Sequence, residues 1–228
     1  MSLSLPEGDG PLRRERLRTA RLYFVCDARP NGDLEALLRA ALTGGADIVQ
    51  LREKELGRAE IERAAGTFRR VADTFSALFI LNDDPELAHS CRADGVHVGQ
   101  DDASAEQARG LLGPKAIIGL STHSKEQIAA SADRPVDYIS VGPIWETPTK
   151  EGRRAVGLEL IAHAAEHAPH PFFAIGGIDP SNAEQVVAAG AERLCAVRAI
   201  RDAADPEAAA AALRQAFAAS EKGVAPGG

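Results

Sequence analysis

Hydrophobic positions along this chain of 228 residues fall into two kinds of segment. Short runs of four or five mostly apolar residues, rich in Val, Ile, Leu and Phe, are typical of buried strands. Longer segments repeat apolar residues every three or four positions, as amphipathic helices do. The predicted strands cover 22–26, 47–51, 78–81, 95–98, 116–120, 138–141, 172–175 and 194–197. The predicted helices cover 33–43, 58–75, 85–91, 103–112, 124–132, 157–167, 180–189 and 206–218.

This alternation predicts the fold class. Strands that are each followed by a helix favour parallel pairing with right-handed crossovers. An open doubly wound sheet is the alternative, but it would normally carry a Gly-rich dinucleotide-binding turn after the first strand. Residues 27–30, which follow that strand, read DARP and do not form such a turn. We therefore predict an α/β protein with a single closed (β/α)8 TIM barrel.

The length of the chain fits one domain of this kind. The predicted barrel domain covers residues 21–219. Residues 1–20 are expected to form a short N-terminal extension that is partly disordered, and residues 220–228 are expected to form a flexible tail. A hydrophobic fraction of 45% is enough for a large core.

Composition excludes several classes of function. A formal net charge of −7 without a basic cluster argues against a nucleic-acid-binding surface. Cys26, Cys91 and Cys195 are far apart and form no CxxC motif, so they predict neither a metal site nor a disulfide framework. No run approaches the roughly 18 apolar residues of a membrane span, and no signal peptide is recognisable. We expect a cytoplasmic protein whose partners are phosphorylated small molecules, with no nucleic acid and no membrane, and we allow for a homodimer.

The segment 137–150, DYISVGPIWETPTK, holds the first candidate chemistry. A predicted strand is followed there by two hydroxyls, Thr147 and Thr149, and by the ammonium of Lys150. Hydroxyls, backbone N–H groups and an ammonium together make a good anion pocket. A polar turn has the same composition, so the segment alone does not decide between the two. In a TIM barrel, however, functional residues follow the strands.

Charged residues also follow the second, third and fourth predicted strands. Gln50, Arg52 and Lys54 share one side of an extended segment, where a ligand site and a solvated charge run are equally compatible with the sequence. Residues 82–84 read NDD and residues 99–102 read GQDD. One carboxylate from each loop can converge on Mg²⁺, which prefers hard oxygen ligands. The same aspartates could instead cap the helices that follow.

The remaining loops complete the candidate site. His123, which follows Ser121 after the fifth strand, is a candidate general base, although such a histidine more often packs or caps a helix. Gly176-Gly177 and Val197-Arg198 follow the seventh and eighth strands, and these two loops are the recurrent phosphate site of the barrel. No nucleophile with a paired base is evident. This favours chemistry in which the substrate carries its own leaving group while the protein positions it and stabilises charge.

Six segments resemble the thiamine phosphate synthase family, in family order. They are QLREK (50–54), LND (81–83), DGVHVGQDD (94–102), IIGLSTHS (117–124), DYISVGPIWETPTK (137–150) and AIGGI (174–178). The resemblance implies a (β/α)8 barrel transferase. Its reaction would join 4-amino-5-hydroxymethyl-2-methylpyrimidine diphosphate to 4-methyl-5-(2-phosphoethyl)thiazole, giving thiamine phosphate and diphosphate.

The resemblance also implies a role for individual residues. It places the pyrimidine diphosphate on Gln50, Leu51, Arg52, Glu53, Lys54, Asn82, Ser121 and Lys150. It places the thiazole phosphate on Thr147, Thr149, Gly177, Val197 and Arg198. It places Mg²⁺ on Asp83 and Asp102. The implied mechanism is dissociative, with Lys54, Lys150 and Ser121 as the catalytic residues.

The chain departs from the family pattern at two places. Asp84 stands where the family usually has Arg, and near the eighth strand Glu192, Arg193 and Arg198 replace a usual Asp, Gly and small Ser. Arg198 could fill the phosphate pocket, but we favour its binding the phosphate as a bidentate donor. The alternatives for function are a thiazole tautomerase-like enzyme, a non-catalytic binder of thiazole phosphate or thiamine phosphate, and a phosphosugar isomerase.

Overall fold

The computed structural model describes residues 10–146 and 154–223, the last five of them by backbone only. Thr147, Thr149 and Lys150 lie outside the described residues. The strands are β1 Leu22–Cys26, β2 Ile48–Leu51, β3 Leu78–Asn82, β4 Gly95–Val98, β5 Ile117–Thr122, β6 Tyr138–Val141, β7 Phe172–Ile175 and β8 Leu194–Ala196. The helices are α1 Gly10–Thr19, α2 Leu34–Thr43, α3 Arg58–Phe75, α4 Pro85–Ser90, α5 Ala105–Leu112, α6 Lys125–Ala130, α7 Gly157–His167, α8 Ala183–Ala188, α9 Arg198–Arg201 and α10 Pro206–Gly223, with a 3-10 turn at Ser131–Asp133.

The strands form one closed parallel barrel in the order β1 to β8. β8 pairs back to β1, with Leu22 opposite Leu194, so the sheet has no free edge. The (β/α)8 prediction is confirmed, and every predicted strand agrees with the observed one within two residues at either end. Among the described helices, none is long and apolar enough to cross a membrane.

Short polar side chains begin several of the helices that follow strands. Asp33 accepts hydrogen bonds from the backbone N–H groups of Glu35 and Ala36 at the start of α2. At the start of α5, Ser104 and Gln107 form a reciprocal capping box. These caps satisfy N–H groups that a helix leaves without partners. They also fix where each loop at the carboxyl end of the barrel stops.

Two layers of core account for the apolar strands. One layer lies between the strands and the helices, and the other fills the inside of the barrel. The inner layer contains Tyr23, Val25, Ile48, Leu78, Ile80, Ile117, Tyr138, Phe173 and Cys195. Because both faces of each strand are buried, the strands are almost continuously apolar.

Helix α1 covers the barrel end at which the strands begin. Leu17, with 4% of its surface exposed, packs against the inner core. Arg13 Nε lies 2.8 Å from Asp94 Oδ1, and Arg14 Nε lies 3.0 Å from Asp137 Oδ1. The sequence pattern does not predict this helix, because GPLRRERLRT has only two leucines as apolar positions. We refer to this end of the barrel as the floor and to the opposite end as the mouth.

A repeated contact joins the strands at the floor. Asp47, Asp94 and Asp137 directly precede β2, β4 and β6. Each carboxylate accepts a backbone N–H from the preceding strand and binds an arginine. The backbone donors are Leu22, Phe79 and Ile118, and the arginines are Arg214, Arg69 and Arg109. Before β8, Glu192 and Arg193 take this place, and Arg193 Nη2 donates instead to the carbonyl of Arg18 at 3.2 Å.

Candidate active site

A cavity of about 380 Å³ opens at the mouth, where functional sites of this barrel lie. Its lining includes nine of the residues that the sequence analysis selected. They are Gln50, Arg52, Asn82, Ser121, His123, Gly176, Gly177, Val197 and Arg198. The side chain of Leu51, by contrast, belongs to the core between the strands and the helices, so it points away from the cavity.

The deep end of the cavity is a chain of hydrogen bonds between buried side chains. Gln50 Nε2 donates to the Tyr23 hydroxyl at 2.6 Å, and the Tyr23 and Tyr138 hydroxyls are 2.9 Å apart. The Tyr138 hydroxyl lies 3.0 Å from His97 Nδ1, and His97 Nε2 lies 3.0 Å from Ser121 Oγ. One direction of donation, from Gln50 to Ser121, satisfies every bond when His97 carries its proton on Nε2. The chain therefore presents fixed donors and acceptors to a ligand above it.

Tyr23 and Tyr138, in this series of hydrogen bonds, are structural hydrogen-bonding groups and do not act as bases. Burial raises the pKa of both the Tyr23 and the Tyr138 hydroxyl well above the usual value. Their rings pack edge to face with Phe173, with centroids 5.2 and 5.4 Å from it, and His97 stacks on Tyr138. This aromatic packing holds the polar atoms in place beneath the cavity.

Sequence reasoning missed Tyr23, His97, Ser140 and Phe173, which all line the cavity. A signal existed in the segment GVHV of β4. In a strand, alternate residues share a face, so Gly95 and His97 point into the barrel while Val96 and Val98 pack against the helices. A polar residue on the inner face of a barrel strand is a candidate ligand contact.

Asp83 and Asp102 converge beside the cavity, as the sequence predicted. Their carboxyl groups lie within hydrogen-bonding reach of each other, and Lys54 Nζ lies 2.9 Å from Asp83 Oδ2. Burial raises the pKa of Asp83 and the neighbouring Asp102 raises it further, while Lys54 lowers it. Asp102 Oδ2 accepts from Gly99 N at 2.7 Å, and a side chain at position 99 would collide with that oxygen. The Lys54 ammonium thus pairs with one of two adjacent carboxylates.

Helix capping and carboxylate pairing are divided between neighbouring residues. Asp84 accepts from Leu87 N at 2.9 Å and caps α4, so the charge that departs from the family pattern lies at a helix start. Asp83 has a left-handed φ of +68°, which turns its side chain toward Asp102. The cap of α5 is Ser104, so the alternative that Asp102 caps this helix is wrong.

His123 lines the cavity at the end of β5. Its Nδ1 hydrogen-bonds to the carbonyl oxygen of Gly142, and its backbone N–H donates to Gln127 Oε1 at 2.7 Å. A carbonyl oxygen can only accept, so Nδ1 carries the proton. The ring is therefore oriented by the backbone that follows β6.

The loops after β7 and β8 form the opposite wall of the cavity. Gly176 and Gly177 have φ values of +108° and +70°, and a Cβ on Gly176 would collide with Pro143. Glycine is therefore needed for the backbone to pass this close to the loop after β6. Val197 and Arg198 follow β8 beside it.

Arg52 and Arg198, which line the cavity, differ from the nearby Arg201. In the described part of the chain, no hydrogen bond or ion pair joins the guanidinium of Arg52 or Arg198 to another side chain. The nearby carboxylate of Asp202 is bound by Arg201 through Nε at 2.7 Å and Nη2 at 3.0 Å, which lowers the pKa of Asp202. Arg52 and Arg198 therefore offer positive charge to a ligand.

Glu53 and Lys54 lie at the rim beside the cavity. The Lys54 side chain is 52% exposed and is held by Asp83. The Glu53 carboxylate accepts backbone N–H groups of its own loop and of the loop after β1. In residues 10–146 and 154–223, no group of three or more metal-ligating side chains occurs. Asp83 and Asp102, the predicted Mg²⁺ ligands, form a pair.

The comparisons with known proteins agree with one another. The sequence model of the family described as Thiamine monophosphate synthase matches residues 22–200. The chain is 49% identical over 206 residues to the thiamine-phosphate synthase of Thermobifida fusca, covering 89% of this chain and 94% of the relative. It is 47% identical over 219 residues to that of Saccharopolyspora erythraea, covering 92% and 98%. The structure matches thiamine phosphate pyrophosphorylase from Pyrococcus furiosus with a TM-score of 0.81 and 30% identity, covering 93% and 100%.

Proposed function

The chain belongs to the thiamine monophosphate synthase family, and we propose that it is a thiamine phosphate synthase. It is a transferase that joins the pyrimidine diphosphate to the thiazole phosphate and releases diphosphate. One observation supports the assignment beyond the family: the lining of a single cavity includes an arginine from each of two separate loops. Arg52 comes from the loop after β2, with Lys54 beside it at the rim, and Arg198 comes from the loop after β8, next to Gly177 of the loop after β7.

The deep end of the cavity suits the pyrimidine ring. Its hydrogen-bond chain ends in Gln50 and Ser121, and both side chains line the cavity. An aminopyrimidine carries ring nitrogens that accept and an amino group that donates. Such a ring can bond to both ends of the chain while it lies against Phe173.

The diphosphate lies toward Arg52 and Lys54 in this proposal. Arg52 supplies a planar donor set for phosphate oxygens, and Lys54 supplies a compact positive charge. Lys150, on the segment outside the described residues, adds a second ammonium in the family pattern. Asn82, at the end of β3, offers its amide to the same group.

Asp83 and Asp102 fit a Mg²⁺ ion. Two hard carboxylate oxygens are the protein share that this ion prefers, the rest being phosphate oxygens and water. The raised pKa of Asp83, due to burial and to Asp102, indicates that Lys54 does not fully compensate the pair. Gly99 leaves space for the Asp102 carboxylate. When bound, Mg²⁺ would neutralise charge on the leaving diphosphate.

The thiazole phosphate lies toward the loops after β7 and β8 in this proposal. Gly177 and the backbone of Val197-Arg198 surround its phosphate in this proposal, and Thr147 and Thr149 add hydroxyls. This placement follows the recurrent phosphate site of the barrel. It leaves the thiazole nitrogen facing the methylene carbon of the pyrimidine.

The substitution needs no protein nucleophile. The carbon–oxygen bond to diphosphate breaks, the pyrimidine ring stabilises the methylene cation, and the lone pair of the thiazole nitrogen forms the new carbon–nitrogen bond. Arg52 and Lys54 stabilise the negative charge that develops on the departing oxygen. Ser121, at the end of the buried chain, holds the ring in position.

The test is diphosphate release by the purified protein with both substrates, in Mg²⁺ and then in EDTA. We expect release that requires both substrates and stops in EDTA. Thiazole phosphate binding without any release would favour the sequestering alternative. Conversion of the thiazole substrate without the pyrimidine would favour the tautomerase alternative.

A further inference from the structure

Glu53 lies at the rim, between the loops after β1 and β2, and its carboxylate faces backbone. Oε1 accepts from Lys54 N at 2.8 Å and from Glu55 N at 2.9 Å. Oε2 accepts from Ala28 N at 3.3 Å. Burial raises the pKa of Glu53, but the N–H groups of Glu55, Ala28 and Lys54 outweigh it and leave the pKa below its usual value. The ionised carboxylate is therefore the form that this loop structure binds.

These bonds fix two loops relative to each other. The loop after β2 carries Arg52 and Lys54, and Glu53 holds the turn between them in one conformation. The loop after β1 is held on its other side, because Arg201 Nη1 lies 2.8 Å from Asp27 Oδ2. Lys54 is in turn directed at Asp83. Glu53 is thus the link between a braced neighbouring loop and the two cations beside the cavity.

A direct contact between Glu53 and the substrate does not fit this arrangement. Arg52 lines the cavity, whereas the Glu53 carboxylate faces the backbone of its own loop and of the loop after β1. Both carboxylate oxygens already accept backbone hydrogen bonds. A carboxylate beside a diphosphate would also repel it.

We propose that Glu53 is a positioning residue that aims Arg52 and Lys54 at the diphosphate and does not contact the substrate. The inference rests on the proposed function, which places a diphosphate at these two cations. It changes the role that family resemblance gives Glu53, from substrate binding to the support of the binding groups.

A purely electrostatic role and a positioning role of Glu53 predict opposite effects of Glu53→Ala on the affinity for inorganic diphosphate. If Glu53 acts only as a nearby negative charge, its removal tightens binding, because a repulsion disappears. If Glu53 positions Arg52 and Lys54, its removal weakens binding although a negative charge is lost. The sign of the change therefore separates the two roles.

The experiment is calorimetric titration of the full-length protein with inorganic diphosphate in Mg²⁺. We expect Glu53→Ala to weaken binding about tenfold, the size of one lost charge-assisted hydrogen bond. The diphosphate affinity of Glu53→Gln should fall between those of the wild type and Glu53→Ala. Its amide oxygen can still accept from Lys54 and Glu55, while its nitrogen cannot accept from Ala28. Glu55→Ala is the matched control, since it removes the same charge from the next-but-one residue, whose side chain is exposed. This control should bind diphosphate within about twofold of the wild type, or more tightly.

Turnover gives a second measurement that a general loss of stability would not reproduce. Glu53→Ala should raise KM for the pyrimidine diphosphate and leave KM for the thiazole phosphate unchanged, with thermal melting close to that of the wild type. Equal or tighter diphosphate binding by Glu53→Ala would overturn the inference, as would a wild type that binds no diphosphate in Mg²⁺. Because the titration needs no turnover, a protein that binds diphosphate but makes no thiamine phosphate would contradict the proposed function alone.

Discussion

Arginines at the two ends of this barrel have opposite surroundings. At the floor, Arg13 and Arg69 both bind Asp94, and Arg109 binds Asp137 at 2.7 Å. At the mouth, Arg52 and Arg198 line the cavity, and no described residue binds the guanidinium of either. The same residue type therefore occurs in an ion-pair network at one end and, among the described residues, without a hydrogen-bonded carboxylate at the other.

This difference separates the arginines that are paired with carboxylates at the floor from those that face the cavity. A buried guanidinium is costly unless a carboxylate is paired with it, and Asp94 supplies that carboxylate to both Arg13 and Arg69 at the floor. A guanidinium left without a carboxylate in a cavity is available for phosphate. The bonded partner of each arginine distinguishes the two groups, so the comparison can be tested by changing one residue at a time.

The largest effect is expected from Asp94→Ala at the floor. The substitution removes the partner of Arg13 and Arg69 and the acceptor for Phe79 N, which leaves buried charge unpaired. We expect the free energy of unfolding to fall by about 3–5 kcal/mol, measured by urea denaturation. Asp94→Asn, which keeps an acceptor, should lose less. A loss below about 1 kcal/mol for Asp94→Ala would show that the network contributes little.

Arg52→Met at the mouth should lower activity without lowering stability, in contrast to the loss of stability expected from Asp94→Ala. If Arg52 donates to the diphosphate as proposed, kcat/KM for the pyrimidine diphosphate should fall about 30- to 100-fold. Since no described carboxylate pairs with Arg52, the urea midpoint should stay the same or rise. A clear loss of stability would place Arg52 with the floor arginines and break the comparison.

Arg198→Ser tests the second mouth arginine by restoring the residue usual in the family. If the guanidinium binds the thiazole phosphate, KM for that substrate should rise about tenfold with little change in the pyrimidine KM. Steady-state kinetics with each substrate varied in turn measure this split. A lower KM for the thiazole phosphate would show instead that Arg198 fills its pocket.

The smallest effect is expected from Arg14→Ala. The Arg14 side chain is 44% exposed, and its partner Asp137 keeps its bond to Arg109. An exposed pair of this kind contributes little, so the free energy of unfolding should change by less than about 0.5 kcal/mol. Activity should be unchanged. A larger loss would mean that α1 docking depends on this contact as much as on Arg13.

The barrel itself was predictable because its strands and helices differ in apolar period. The helix α1 was not, since the contacts that hold Arg13 and Arg14 join residues more than 80 positions apart. The convergence of Asp83 and Asp102 followed from strand order. The sequence did not show that Asp84 caps α4 while Asp83 pairs with Asp102, because this depends on the left-handed backbone at Asp83. Residues 1–9, 147–153 and 224–228 lie outside this comparison.

The polar atoms beneath the cavity were the least visible part of the site. Tyr23 and Tyr138 occupy strands that look uniformly apolar, because both faces of a barrel strand are buried. Their role emerges only when the closed sheet brings Gln50, His97 and Ser121 to the same height inside it. Sequence patterns locate the loops of such a site more readily than its interior.

The aspartates before β2, β4 and β6 give the barrel an approximate rotational symmetry in units of two strands. Only the unit that ends in β8 breaks it, with Arg193 at the floor and Arg198 at the mouth. Arg193 and Arg198, which both depart from the family pattern, thus lie at the two ends of one strand, β8. Because the β8 unit supplies its own floor contact and its own mouth loop, substitutions in it can change this wall without touching the contact between Asp83 and Asp102.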